Sequence, residues 1–217
     1  MKASILVPSS LSEVTIKQYL KFLKVESDID VESPFYMQKL VEIFCNIELQ
    51  DVANIRYKSL VETATHIRSL FDQKAEFVQT FNLNGLEYGF IPVLDDISLG
   101  EYIDLDNYLS DQNNIHKAMA VLYRPITHKK EDRYDIVPYD GTRYSDDYLE
   151  MPLDVAFGAY VFFWNLNKEL VEATLNYLEM EEADSDLKQI LLENGGGIKA
   201  YMHSLKGILQ ELNISQN

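Results

Sequence analysis

The 217-residue chain has a single cysteine, Cys45. One thiol closes no intrachain disulfide, which points to a reducing compartment. Basic residues are scarce: 19 Lys and Arg stand against 35 Asp and Glu, a formal charge of −16. Nucleic acids and anionic membranes are both held by basic patches. The acidic excess argues against either partner and favours a basic protein surface. No apolar run reaches the roughly 18–20 residues needed to span a bilayer. The richest window, 155–166, contains Asn165 and reads as a buried core helix. The apolar run Ile5-Leu6-Val7 is too short for a signal peptide.

Catalytic and metal signatures are also missing. The four histidines (His66, His116, His128, His203) do not pair with one another or with Cys45 at zinc spacing. Asp104-Leu105-Asp106 opens like a calcium loop, but Tyr108, Leu109 and Ile115 stand where an oxygen ligand, Gly and Glu are required. Gly195-Gly196-Gly197 follows a helix-like stretch rather than a strand, so it reads as a helix end and not a phosphate loop. No serine sits in G-x-S-x-G, and no Cys–His signature is present. The sequence therefore predicts no enzyme, no cofactor, no catalytic residue and no metal site.

Apolar residues make up 47% of the chain, with 14 Tyr and 10 Phe, enough for a real core. Met37, Leu40, Val41 and Phe44 share one helical face, and Ser33-Pro34 before them suits an N-cap with proline in the first turn. Leu60, Ala64, Ile67 and Phe71 predict a helix over 56–72, and Ile115, Ala118, Met119 and Leu122 another that stops at Arg124-Pro125. Two alternating runs, 77–83 and 86–91, flank Asn84-Gly85, a strong hairpin signal because a type I′ turn needs two positive φ angles. A short strand is expected within 1–7 and an edge strand at 134–137. The polar stretch 126–150 reads as an exposed loop and a sub-lobe boundary. A long central helix is expected over about 152–182, with further helices at 186–194 and 198–212. The predicted fold is a single α+β domain over 1–217, predominantly α-helical, with a small antiparallel hairpin at about 77–91.

One repeat stands out. Leu11-Ser12-Glu13-Val14-Thr15-Ile16-Lys17-Gln18-Tyr19 aligns without gaps on Leu94-Asp95-Asp96-Ile97-Ser98-Leu99-Gly100-Glu101-Tyr102. Thr15 and Ser98 suit the N-cap, and Gln18 and Glu101 lie three residues on, as a capping box requires. Val14 with Tyr19, and Ile97 with Tyr102, are placed to form hydrophobic staples. The repeat reads as two efficient helix starts, or as two related docking elements.

Tyrosine offers rigid area with a polar tip and is enriched at interfaces. Tyr102, Tyr108, Tyr134, Tyr139, Tyr144 and Tyr148 lie in polar stretches and are the candidate protein-interface residues.

A resemblance joins these features. Glu87-Tyr88-Gly89-Phe90-Ile91-Pro92, Leu99 to Asp106, His116 to Pro125 and Met151 to Ala159 resemble a group of poorly characterised tailed-bacteriophage proteins encoded near virion and tail genes. The resemblance covers about 5–180 and carries no established functional residues. It implies a non-enzymatic phage protein that acts by protein–protein binding in virion or tail assembly, as structural component or assembly chaperone. Its implied partners are other virion or tail proteins or itself, in the host cytoplasm or the particle. The alternatives are an acidic phage protein that inhibits a host factor, and an enzyme whose site is assembled from distant residues.

Overall fold

In the computed structural model, residues 5–26, 30–31, 33–131 and 133–179 are described. Seven α-helices and four strands occur among them: α1 (Ile16–Glu26), α2 (Pro34–Phe44), α3 (Leu49–Val52), α4 (Tyr57–Phe71), β1 (Thr80–Leu83), β2 (Leu86–Phe90), α5 (Leu99–Leu109), α6 (Ile115–Leu122), β3 (Tyr123–Lys130), β4 (Arg133–Ile136) and α7 (Leu153–Glu179). The architecture is α+β and mostly helical. Residues 5–7 have no regular structure. The helices expected at 186–194 and 198–212 lie outside the described residues.

Local chemistry explains several boundaries. Ser33 Oγ accepts from the Tyr36 N–H at 3.1 Å, with Pro34 at the first helical position of α2. Asn84 (φ 52°) and Gly85 (φ 81°) supply the two left-handed residues of the turn between β1 and β2. The amphipathic stripe of α4 buries Leu60, Ala64, Ile67 and Leu70.

The expected hairpin is one side of a four-stranded antiparallel sheet, ordered β1-β2-β3-β4, whose edge strand β4 lies where an edge strand was expected at 134–137. Its strands are also shorter than the two alternating runs. The added strand β3 changes partner along its length. Tyr123 to Pro125 pair with β2, and Ile126 to Lys130 pair with β4, with a register shift between Ile126 and His128. Pro125 has no N–H to give a ladder, and it falls at this handover. Stretch 126–150 is therefore no open loop: it holds most of β3, all of β4 and a 3-10 turn (Ser145–Glu150) that buries Tyr148.

The expected central helix also needs correction. Among the described side chains of α7 the buried positions run from Leu153 to Phe163, whereas Asn165 and Leu166 are exposed. The most deeply buried element is α6, where Ile115, Ala118, Met119, Val121 and Leu122 are all fully covered. Hydropathy marks the apolar window 155–166 but does not tell which of two apolar helices the fold covers more completely.

One core cluster runs from Leu11 to Phe163. Phe22, Phe44 and Phe71 tie α1, α2 and α4 together, with centroids 5.5–6.0 Å apart. Tyr19 on α1 meets Phe157 on α7 edge to face at 5.3 Å. Phe90 on β2 meets Tyr123 at 5.2 Å and Phe162 at 5.5 Å. Gly158 lets α7 touch backbone: a Cβ there would lie 2.1 Å from the Glu76 carbonyl oxygen. Gly89 likewise leaves room for the Tyr134 ring, which a Cβ would meet at 2.3 Å.

Candidate functional site

Both repeat copies begin with a 3-10 turn, Leu11–Glu13 and Leu94–Asp96, and pass into a capped helix. In the first copy the Thr15 N–H donates to Gln18 Oε1 at 3.0 Å, and the Gln18 N–H donates to Thr15 Oγ1 at 3.2 Å. In the second, the Ser98 N–H donates to Glu101 Oε2 at 2.7 Å and the Glu101 N–H to Ser98 Oγ at 3.3 Å. Thr15, Gln18, Ser98 and Glu101 thus form two capping boxes. Such caps are worth about 1 kcal/mol each.

Their surroundings differ sharply. Positions i, i+3 and i+4 share a helix face; in α1 these are Ile16, Tyr19 and Leu20. Ile16 and Tyr19 are buried and Leu20 is half-buried. In α5 the same positions are Leu99, Tyr102 and Ile103, exposed by 75%, 58% and 49%. Val93, just upstream, is 51% exposed.

The first copy is hydrogen-bonded to the entry of α7: Met151, Pro152 and the first helical residue, Leu153. The Ile16 N–H donates to the Met151 carbonyl at 3.1 Å, and the Leu153 N–H donates to the Val14 carbonyl at 2.8 Å. Thr15 and Pro152 form an antiparallel bridge, and Met151 and Leu153 are fully buried. In the second copy the corresponding groups are the Leu99 N–H and the Ile97 carbonyl. Neither has a hydrogen-bond partner among the described residues.

Beneath the exposed face lies a charged anchor. Arg124 Nη2 on β3 meets Glu101 Oε1 at 2.6 Å, with both side chains about nine-tenths buried. Burial raises the Glu101 pKa, but bonds from Ser98 and the charge and hydrogen bond of Arg124 outweigh it. The carboxyl is held below its ordinary 4.5. The Arg124 guanidinium also lies 5.6 Å from the Tyr139 ring centroid, and the Tyr139 hydroxyl donates to Asp104.

The chain matches no model of a known protein family, no curated protein and no solved structure.

The six expected interface tyrosines divide. Tyr134 and Tyr148 are buried, a correction to their exposed reading. The Tyr134 hydroxyl donates to the Phe90 carbonyl at 2.8 Å and the Tyr148 hydroxyl to the Tyr123 carbonyl at 2.5 Å. Burial pushes both phenol pKa values up. Polar sequence neighbours hid the fact that each ring plugs the core while its hydroxyl satisfies a backbone carbonyl. Tyr139 and Tyr108 are half-buried, and Tyr108 carries Lys117 5.6 Å from its ring centroid. Tyr102 and Tyr144 are exposed, and Tyr102 belongs to the α5 face.

Sequence reasoning missed Leu99, Ile103 and Val93 as surface residues and Arg124 as the buried partner of Glu101. The gapless repeat placed Leu99 opposite Ile16, but only the fold shows which copy is covered. Cys45 is buried, and burial pushes its thiol up to about 11, which makes it an inert core residue. Among the described residues, no group of three or more His, Cys, Asp or Glu is placed to hold a metal. No helix among them is long and apolar enough to cross a membrane.

Proposed function

We propose that this protein is a non-enzymatic bacteriophage protein that works by binding other proteins during virion or tail assembly. The observation that carries the reading is the wet apolar face of α5. Leu99, Tyr102 and Ile103 stand in water on a helix whose counterpart buries the first two of these positions and half-buries the third. Contiguous exposed apolar residues rimmed by polar ones mark interaction sites, because docking removes that surface from water. The phage context comes from the resemblance of residues 5–180 to tailed-phage proteins. The acidic balance adds a preference for basic partners.

The test is an affinity pull-down of tagged protein from infected cells at low and high salt, with mass spectrometry of the retained proteins. Salt screens exposed charge contacts and spares buried apolar ones. Virion or tail proteins retained at high salt are the expected result. A single host protein, or an empty lane, overturns it.

A further inference from the structure

The first repeat copy shows what its helix start is built to hold, and among the described residues the second has no such occupant. From this we infer that the start of α5 is a docking site for an extended segment of a partner protein. The segment carries apolar residues on either side of a proline, flanked by Lys or Arg. The inference rests on the protein-binding reading above and specifies its partner's chemistry.

The template lies within this chain. Segment 151–153 reads Met-Pro-Leu. It gives one carbonyl to the first helical N–H of α1 and takes one carbonyl from the residue before the cap. Proline suits the middle position, because its missing N–H is not used there. The equivalent groups of the second copy, the Leu99 N–H and the Ile97 carbonyl, have the same spacing in sequence and no partner among the described residues. Ile97 is half-buried beside the cap as Val14 is buried beside its own. An incoming segment would satisfy both backbone groups, as Met151 and Leu153 do for Ile16 and Val14, and would lie beside the exposed Leu99 and Tyr102.

Charge decides what flanks the apolar centre. Residues 93–109 contain Asp95, Asp96, Glu101, Asp104 and Asp106 and no basic residue. Glu101 is engaged by Arg124 and Asp104 by Tyr139, which leaves Asp95, Asp96 and Asp106 exposed. In the first copy those three positions are Ser12, Glu13 and Leu23. The open copy is the more acidic one, and a basic-flanked segment complements it.

The test uses a fluorescent peptide with Met-Pro-Leu at its centre and lysines at both ends, titrated into the full chain. Leu99→Pro is the informative variant. Proline is favoured at the first helical position, and Ser98 before it already has φ −69° and ψ 158°, as a residue before proline prefers. The variant removes both the N–H and the Leu99 side chain of the proposed site while keeping the helix, which circular dichroism checks. Wild type binds the peptide, and Leu99→Pro weakens binding about tenfold. Exchanging the lysines for glutamates weakens it further. No binding to wild type, or equal affinity for wild type and Leu99→Pro, overturns the site. Concentration-dependent dimerisation that Leu99→Pro abolishes assigns the face to a second copy and overturns the peptide occupant. Repeating the infected-cell pull-down with Leu99→Pro separates the two proposals. Virion proteins retained equally by both chains keep the binding function and reject this site, whereas an empty wild-type lane beside clear peptide binding rejects the assembly role alone.

Discussion

The two helix starts at residues 11–23 and 94–106 share a motif and a capping geometry, yet one lies in the core and the other faces water. Ile16 is fully buried and Leu99 is 75% exposed, although both stand one residue after a cap. The difference lies in what comes to rest on each. The first is closed by 151–153, a segment more than 130 residues away in sequence. A capping motif therefore specifies where a helix begins and leaves open whether its flank is core or surface.

Truncating the tyrosine of each copy tests this contrast most strongly. Tyr19→Ala removes a buried ring packed on Phe157 and Phe71 and should cost about 3–5 kcal/mol. Tyr102→Ala should change stability by no more than about 0.5 kcal/mol. Urea denaturation of both variants measures the gap, and equal losses would end the contrast.

The second comparison is between the capping side chains, neutral in Gln18 and charged in Glu101. Glu101→Gln leaves Arg124 buried without its counter-charge and should cost about 3 kcal/mol near neutral pH. The folded pKa of Glu101 lies below its ordinary 4.5. Its charged form therefore stabilises the fold above that value, and the advantage fades as pH falls through the lower folded pKa. The gap between wild type and Glu101→Gln should narrow in acid below about pH 4.5, as thermal unfolding at several pH values would show. A gap independent of pH would mean that the buried pair is not the source.

A gain rather than a loss is expected at the position where the first copy has Lys17 and the second has Gly100. Lys17 makes an exposed 2.9 Å ion pair with Glu150. An alanine Cβ at Gly100 would meet only Tyr139 and Ser98 atoms at 3.9–4.0 Å, and Gly100 is not among the positive-φ glycines. Gly100→Ala should raise stability by about 0.5–1 kcal/mol through helix propensity and reduced unfolded-state entropy, read as a higher Tm.

What was legible in the sequence was local. The Asn84-Gly85 turn, the Ser33-Pro34 cap and both capping boxes depend on residues within a few positions of one another, and all have the expected geometry. Strand β3 was not legible, because Thr127 to Lys130 are polar or basic and pair at a solvent-facing edge with β4. The short α3 has too few residues to show a period. The burial of Tyr134 and Tyr148 depends on Gly89 leaving room for one ring and Tyr88 packing on the other at 5.6 Å. The contrast between Leu99 and Ile16 goes with backbone bonds to Met151 and Leu153 that, among the described residues, only the first copy makes. Each of these is a relation between distant residues, which spacing along the chain does not encode.

The passage from α6 into β3 has a mechanical meaning. Leu122 ends the helix and Tyr123 begins the strand, with no residue between them to act as a hinge. Arg124, one residue further, grips the cap of α5 through Glu101. Any displacement of the start of α5 that keeps this pair intact has to carry the helix–strand junction with it. The Glu101–Arg124 pair thus couples the cap of α5 to a place where helix passes into strand without an intervening loop.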